Sequence, residues 1–522
     1  MSDGPSAAGM DGVRTQPGPA TTTECVHGAA DLPALAVRSI LAIAVLLSVL
    51  LLAFSDRYGY HRDELYFLQC GRHLAWGYPD QPPLVPLIAR LMSDLAPGSL
   101  LVLRLPSALA AGGLVLLTGM ITRELGGGRI AQLLGSGVIA LAPVVFGSGH
   151  LLSTTAFYLP FAALLLLLLL RILRTGNDRL WLAFGLVAGV GLLDTDLLAS
   201  LILAAVVGLI AVGPRRHLRS PWFYAAGGIA LAIWAPYLGW QGSHGWPELT
   251  VARSIAAGGS GSSAPLLLFI PEQFGLVAPY FAPIWIAGLV RLFHDRRLRW
   301  CRAVGIAYPV LAIVFMATSG KPYYLTAMFP VLIGAGSQPT VAWVQRRRWR
   351  LRRGLIIAAM VLSLTSLPTA LPIVPMSTVH DTPIVALNYD AGETIGWPAF
   401  VAELAAAYRS LPPARRSSTI VLASNYGEAG AVDRFGPADG LPSAYSGHMA
   451  FWYWGPPPAQ ATSALVVGYD RAQLGFCGSV RLLVRLNNHV SVQDDEQGAP
   501  VWICQQLRQS WRALWPSQRN FG

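Results

Sequence analysis

The sequence predicts an α-helical, multi-pass membrane protein with a small α/β domain at its C-terminal end. Hydrophobic residues make up 53% of the 522-residue chain and charged residues only 12%, which is about half the charged fraction of a soluble protein. The mean hydropathy is +0.48, and long uncharged runs recur as far as residue 374. Glycine and proline turns separate short amphipathic segments after that residue, so we expect the membrane part to end there.

Eleven apolar runs are candidate transmembrane helices, because each approaches the length of about 20 residues that crosses the hydrocarbon core. They lie at residues 33–54, 101–122, 130–148, 151–171, 180–194, 196–213, 222–239, 274–292, 302–318, 322–338 and 354–374. Residues 1–32 precede the first run and are rich in glycine, proline, alanine and threonine. We expect this N-terminal tail to be disordered.

The loops between these runs predict the orientation of the chain. Eleven spans place five arginine clusters on the same side of the membrane as the N-terminus, within residues 123–129, 171–179, 215–219, 296–302 and 346–353. Positively charged loops face the cytoplasm, so the opposite side holds the loop 55–100 and the domain 375–522. The net charge of +11 is explained by these loops, and no nucleic-acid partner is expected.

Residues 375–522 predict an α/β domain outside the cytoplasm. The stretch 401–408 has the pattern of an amphipathic helix, and residues 419–423 and 464–467 have that of strands. Cys477 and Cys504 both fall in this domain, where a disulfide can persist. We predict that they are bridged, the alternative being two buried thiols. Cys25 and Cys301 fall on the cytoplasmic side and are expected to be reduced.

The loop 55–100 contains the first candidate site residues. Asp63 and Glu64 are adjacent carboxylates near a predicted helix end. One of such a pair can act as a general base while the other takes a structural or metal-linked role. They also suit an ordinary helix start with acids in its first turn. Asp80 and Gln81 lie among aromatic residues and prolines, which suits sugar binding or an aromatic belt at the membrane interface.

Later external segments supply further candidates. His244 and Trp246 follow the seventh span, and Glu272 precedes the eighth. Lys321 is the only lysine in the chain and lies in a short external turn. A single lysine among arginines suits a phosphate met as a point charge, or a side chain that snorkels to the interface.

Five ordered segments resemble a known family. They are Arg62-Asp63-Glu64-Leu65-Tyr66-Phe67, Tyr78-Pro79-Asp80-Gln81-Pro82-Pro83-Leu84, His244-Gly245-Trp246-Pro247, Gly320-Lys321-Pro322-Tyr323-Tyr324, and Asn425-Tyr426-Gly427-Glu428-Ala429-Gly430-Ala431 with Tyr445-Ser446-Gly447-His448. From about residue 33 onwards the chain resembles the polyprenyl-phosphate-sugar glycosyltransferases of the glycosyltransferase C superfamily. Within that superfamily it is most similar to the family 39-like group of dolichyl-phosphate-mannose mannosyltransferase type, with relatives among protein O-mannosyltransferases and aminoarabinose transferases.

The resemblance implies an inverting sugar transfer at the outer face of the cytoplasmic membrane. The donor would be a polyprenyl-phosphate sugar, and the acceptor a glycan, lipid or protein of the cell envelope. Asp63 would deprotonate the acceptor hydroxyl, while Glu64 would orient the site or help to bind a divalent metal. Phosphate binding would fall to Lys321, Tyr323, Tyr324 and Arg62. Substrate binding would fall to Asp80, Gln81, His244, Trp246 and Glu272.

Three short stretches depart from the family pattern and bear on the donor sugar and the phosphate site. Gln81 stands where related chains often have lysine or histidine, and Tyr158 lies in a stretch where they often have aspartate. Asp194 and Asp196 stand where lysine or histidine is frequent. Two alternatives to the enzyme remain. One is a transporter or flippase of lipid-linked glycans, which would need ionisable residues at mid-membrane depth and broken helices. The other is a non-catalytic glycan-binding scaffold.

Overall fold

The computed structural model describes residues 32–258, 265–346 and 348–521. The predicted N-terminal tail, apart from residue 32, and Cys25 lie outside the described residues. The helices of the membrane part and its loops are α1 (Val37–Ala53), α2 (Arg62–Arg72), α3 (Leu84–Leu95), α4 (Leu100–Glu124), α5 (Arg129–Ala140), α6 (Pro143–Gly149), α7 (Thr154–Thr175), α8 (Leu180–Leu192), α9 (Leu197–Val212), α10 (Pro221–Ser243), α11 (Pro247–Ala256), α12 (Phe269–Leu276), α13 (Ala282–His294), α14 (Arg302–Ala317), α15 (Phe329–Val344), α16 (Trp349–Ser363) and α17 (Leu367–Ala370).

Each of the eleven predicted runs contains helix, and the integral-membrane class is confirmed. Over the described residues, four helices are long and apolar enough to cross a bilayer, within Leu100–Glu124, Thr154–Thr175, Arg296–Ala317 and Trp349–Ala370. Two bent pairs, at 59° between α5 and α6 and at 80° between Leu266–Leu276 and Pro279–His294, bring the number to six if each is one span. The count of eleven spans stays a prediction.

Small residues bring the membrane helices together. A Cβ added to Gly288 of α13 would overlap the carbonyl oxygen of Leu332 in α15, and one added to Gly336 of α15 would overlap that of Ile284. Glycine is therefore required on both sides of this crossing. Such small-residue contacts let helix backbones approach closely where lipid supplies no hydrophobic driving force.

The C-terminal region contains the small sheet that the sequence predicts. Its helices are α18 (Ile384–Leu387), α19 (Tyr389–Gly392), α20 (Trp397–Arg409), α21 (Pro413–Arg416), α22 (Tyr426–Phe435), α23 (Ala450–Tyr453) and α24 (Trp511–Leu514). Its strands are β1 (Thr419–Ala423), β2 (Ala444–Ser446), β3 (Ser463–Val467), β4 (Cys477–Arg485) and β5 (Pro500–Leu507). The strand order is β2-β1-β3-β5-β4, with β1 parallel to β2 and β3, and β5 antiparallel to β3 and β4.

Both faces of the central strands are covered. Val421 and Leu465 pack into one apolar core together with α20 and α22, whereas Ile420 and Ala464 pack into a second core with Trp511 of α24. This burial on two sides explains why β1 and β3 are continuous apolar runs. Cys477 of β4 and Cys504 of β5 form a disulfide, and Cys70 and Cys301 are buried free thiols.

The C-terminal region packs directly on the first loop, and residues Pro33–Gly522 form one compact unit. Leu65 and Phe67 of α2 share a core with Trp397 of α20 and Val432 of α22. A Cβ on Gly430 of α22 would lie 3.0 Å from the Leu65 side chain, so the two helices touch without an intervening side chain. The sheet is thereby fixed over the segment that carries Asp63. A domain boundary at residue 374 stays a prediction.

Candidate active site

The paired acids begin α2 through a capping box. The Asp63 backbone N–H donates to Nδ1 of His61 at 3.2 Å, and the His61 backbone N–H donates to Glu64 Oε2 at 2.9 Å. These bonds satisfy amide groups that the first turn of a helix leaves without partners. The local pattern therefore fixes the backbone, and it turns Asp63 and Glu64 towards different surroundings.

Glu64 is fully buried and paired with Arg104 of α4. The guanidinium donates to Glu64 Oε1 at 2.8 Å and to Oε2 at 2.7 Å, and the backbone N–H of Leu152 donates to Oε1 at 2.9 Å. Burial opposes ionisation of the carboxyl, but the charge and hydrogen bonds of Arg104 outweigh it and lower the pKa of Glu64. The pair holds α2 against α4.

Asp63 faces a cavity of about 1190 Å³ between the membrane helices and the C-terminal region. Seven of the predicted site residues line it, namely Arg62, Asp63, Asp80, Gln81, Lys321, Tyr323 and Tyr324. Four others lie elsewhere: Glu64 is buried against α4, His244 and Trp246 are exposed after α10, and Glu272 is half-buried in α12. The structure thus assembles the first, second, fourth and fifth segments of the family resemblance around one cavity.

The Asp63 carboxylate is held in its ionised form. Its Oδ1 accepts a 2.7 Å hydrogen bond from the hydroxyl of Tyr426, and the side chain keeps 40% of its surface exposed. Burial would raise the pKa of Asp63, but interactions with His61 and Arg62 outweigh it and bring the pKa below its usual value. The Tyr426 hydrogen bond and the charge of Lys321 act in the same direction.

Arg62 forms hydrogen bonds and ion pairs with the C-terminal region. Its Nη1 donates to the Tyr389 hydroxyl at 2.8 Å and forms ion pairs with Glu393 at 3.1 Å and Asp495 at 3.0 Å. Its guanidinium also lies 5.0 Å from the centre of the Tyr426 ring. Arg62 therefore links α2 to the C-terminal region through two carboxylates, in addition to lowering the pKa of Asp63.

Lys321 supplies positive charge at the cavity wall. It precedes a short 3₁₀-helix, Pro322–Met328, and its Nζ lies 5.9 Å from the centre of the Tyr323 ring. Burial lowers the pKa of Lys321, while the charges of Asp63 and Asp390 raise it. Arg519 lines the same cavity, so Lys321 and Arg519 both add positive charge to its wall.

A second group of acids lines this cavity. Tyr66 donates a 2.8 Å hydrogen bond to Asp80, whose pKa burial raises to about 7. Burial and then the charges of Asp196 and Asp80 raise the pKa of Glu248. Asp194 is completely buried, and neither of its carboxylate oxygens has a hydrogen-bond partner among the described residues. Protonated acids can donate to hydroxyl groups, so this wall suits a neutral sugar better than a phosphate.

The sequence did not single out several groups of this cavity. Tyr426 lies in the fifth segment of the family resemblance and Glu248 directly follows the third, but nothing local marks them as site residues. His448 stacks on Tyr426 with ring centres 4.9 Å apart, and its Nδ1 accepts from the Tyr426 backbone N–H at 3.3 Å. Burial lowers the pKa of His448 to about 3, so the ring is neutral and presents Nε2–H as a donor.

The described ranges 32–258, 265–346 and 348–521 contain no group of three or more histidine, cysteine, aspartate or glutamate side chains placed to hold a metal ion.

Comparison with known proteins identifies solved structures that share this fold. Residues 80–240 match the family model of dolichyl-phosphate-mannose-protein mannosyltransferases. ArnT from Cupriavidus metallidurans in its apo state aligns over 90% of this chain and 97% of its own, at 14% identity and a TM-score of 0.55. The chain has the glycosyltransferase C fold. ArnT from the same organism bound to undecaprenyl phosphate aligns over the same shares, at 15% identity and a TM-score of 0.54.

A more distant glycosyltransferase C structure is an oligosaccharyltransferase from Archaeoglobus fulgidus in complex with Zn and sulfate. It is 15% identical, with a TM-score of 0.45, and the alignment covers 76% of this chain and 61% of that chain. No curated protein sequence matches the chain. The fold of the ArnT structures therefore agrees with the fold that the resemblance of the five segments implies.

Proposed function

We propose that this chain is an inverting glycosyltransferase that moves a sugar from a polyprenyl-phosphate donor to an acceptor hydroxyl at the outer face of the cytoplasmic membrane. One observation carries the proposal: the ionised carboxylate of Asp63, held by Tyr426, lines the same cavity as Lys321. A base and a phosphate-binding cation facing one space are what direct displacement of a phosphate by a hydroxyl needs. The fold supports this assignment, since ArnT with the same fold is known bound to undecaprenyl phosphate.

The chemical step is a single displacement. The acceptor hydroxyl gives its proton to Asp63 while its oxygen forms a bond to the anomeric carbon of the donor sugar. The bond from that carbon to the phosphate oxygen breaks, and its electron pair leaves with the polyprenyl phosphate. The charge that develops on the phosphate is stabilised by Lys321 and Arg519, which both line the cavity.

The acids of the cavity set the orientation of the donor. Burial raises the pKa of Asp80 to about 7 and raises that of Glu248 well above its usual value, which favours the protonated form of each acid. They can donate hydrogen bonds to sugar hydroxyls, whereas their ionised forms would repel a phosphate. The phosphate therefore binds at the Lys321 wall and the sugar lies towards the acids. Glu64 and Arg62 act as positioning residues that hold Asp63 and the C-terminal region in place.

A transfer assay tests the proposal. Purified protein is given a radiolabelled polyprenyl-phosphate mannose, glucose or aminoarabinose together with membrane acceptors. Transfer of at least one sugar is expected, and Asp63→Asn should reduce it by about 10²-fold or more because the general base is lost. Asp381→Asn is the matched control, since Asp381 is 72% exposed and does not line the cavity. Equal transfer by the wild type and Asp63→Asn, or none by the wild type with any donor, would contradict the proposal.

A further inference from the structure

A second, smaller depression lies beside the cavity and is walled by aromatic rings. We call it the aromatic groove. It has a volume of about 370 Å³ and is built from the end of α2, the following loop, the end of α10 and the segment around α23. Its ring-bearing residues are His73, Tyr78, Trp240, His244, Tyr453 and Trp454. Three parts of the chain that are distant in sequence therefore contribute rings to one place.

The rings form two stacked pairs. His73 stacks on Trp454 with ring centres 4.3 Å apart and an interplanar angle of 20°, and His244 stacks on Trp240 at 4.1 Å and 16°. Tyr453 meets the second pair edge-on, with its ring centre 5.2 Å from that of His244. A Cβ on Gly77 would lie within 3.0 Å of the Trp240 ring, so the neighbouring loop packs tightly on that ring.

Both imidazoles have a fixed tautomer. Nδ1 of His73 lies 3.2 Å from the carbonyl oxygen of Gln69, and Nδ1 of His244 lies 2.8 Å from that of Trp240. A carbonyl oxygen can only accept, so each Nδ1 carries the hydrogen. In the neutral ring the Nε2 atom is then a hydrogen-bond acceptor. Each stack thus combines an apolar ring surface with an acceptor at its edge.

The groove adjoins the cavity that contains Asp63. Pro79 lines the groove and the next residue, Asp80, lines the cavity. Tyr453 of the groove stacks on Phe521 of the cavity wall with ring centres 5.9 Å apart. The Tyr66 hydroxyl accepts from the backbone N–H of Ala450, which lines the groove, and donates to Asp80. A ligand that extends beyond the reacting hydroxyl can therefore reach the groove.

We propose that the aromatic groove binds a sugar ring of the acceptor, so that the acceptor is a glycan or carries one. This inference rests on the proposed function. The C–H face of a pyranose is apolar and gains from burial on aromatic rings, while its hydroxyls are donors that match the two Nε2 acceptors. A membrane-interface belt consists of tryptophan and tyrosine, whereas this groove pairs each tryptophan with a histidine of fixed tautomer and also includes the exposed Arg72.

The test uses the full-length protein in detergent micelles and needs no donor. Saturation-transfer NMR is recorded with methyl mannoside, methyl glucoside and methyl galactoside. At least one should receive saturation, strongest at the protons of one ring face. Trp454→Leu should weaken that binding about tenfold, the loss expected for one stacked ring. His244→Phe keeps the stack and removes the acceptor, so it should weaken binding while retaining the ring-face pattern.

Trp76→Leu is the matched control, because Trp76 belongs to the same loop, is 61% exposed and does not line the groove. Thermal unfolding of each variant separates lost binding from lost fold. Asp63→Asn should bind the methyl glycosides as the wild type does. Loss of groove binding can therefore be distinguished from loss of sugar transfer. No saturation of any methyl glycoside by the wild type, or equal saturation with Trp454→Leu, would overturn the inference. Tryptophan fluorescence is also measured with lipids whose acyl chains are brominated. Quenching of the wild type that is lost in Trp454→Leu would place Trp454 in a membrane belt and overturn the inference.

Discussion

The hydroxyl of Tyr426 donates a 2.7 Å hydrogen bond to Oδ1 of Asp63, although 363 residues separate the two in the chain. The bond joins the first turn of α22, under the sheet, to the first turn of α2. One carboxylate oxygen is thus held by the C-terminal region, and that region forms part of the site that the proposed chemistry uses.

Tyr426→Phe removes this hydrogen bond and one of the interactions that lower the pKa of Asp63. The pKa of Asp63 should therefore rise, and the acidic limb of the kcat/KM profile should move to higher pH. A hydrogen bond to a charged group contributes about 1.5–3 kcal/mol, which corresponds to a shift of that limb by roughly 1 to 2 pH units. Tyr445→Phe, in β2 and outside the cavity, should leave the profile unchanged. An unshifted acidic limb in Tyr426→Phe would show that Tyr426 does not lower the pKa of Asp63.

Glu64→Gln leaves the charge of Arg104 buried without its partner. Breaking a buried ion pair on one side costs about 3–5 kcal/mol, so the unfolding midpoint should fall sharply. The pKa of Glu64 is lower in the folded state than in the unfolded state. Its contribution to the free energy of unfolding is therefore fully present above the unfolded-state pKa and is lost as the pH falls through the folded-state pKa. Glu272→Gln in α12 is the control and should change the midpoint little. A stable, inactive Glu64→Gln would instead give Glu64 a chemical role.

Asp80 should make stability depend on pH through its raised pKa of about 7. Between the usual value near 3.9 and 7, the folded protein holds a proton that the unfolded chain has lost. The contribution of Asp80 to the free energy of unfolding therefore declines as the pH rises through that window, and it is constant above pH 7. Asp80→Asn lacks the effect, so its midpoint relative to the wild type should increase from pH 5 to 7. A difference independent of pH would contradict the raised pKa.

The orientation can be tested with reporters. A reporter that is active only outside the cytoplasm should be active after residue 380 and inactive after residue 345, because the arginine clusters place these positions on opposite sides. The fusion after residue 345 serves as the internal control for expression. Activity in the reverse pattern would place the cavity on the cytoplasmic face.

Local patterns were sufficient for much of the fold. Apolar runs located helices α4 and α9 to within a few residues, and the β-branched run 419–423 coincides with β1. The acids of α2 suited both a helix start and a site: the helix start is present as a capping box, and Asp63 lines the cavity, while its role in the site stays a prediction. These features depend on neighbours within a few residues, which sequence patterns report directly.

The rest of the site depends on partners far apart in the chain. Nothing near Glu64 shows that Arg104 will neutralise it, and nothing near Arg62 shows that Glu393 and Asp495 will pair with it. Asp80 was a candidate from the sequence and Asp194 a departure from the family pattern, but no local pattern predicted that they share one wall with Glu248. Such pairings are set by tertiary packing, so they required the structure.

The stereochemistry of transfer tests the central claim most directly. A polyprenyl-phosphate sugar of known anomeric configuration, labelled with ¹³C at the anomeric carbon, is incubated with the wild-type enzyme and acceptor, and the product is examined by NMR. Direct displacement by the hydroxyl that Asp63 deprotonates predicts complete inversion at that carbon, with release of one polyprenyl phosphate for each sugar transferred. Retention of configuration would contradict the account, because it would require a covalent sugar intermediate.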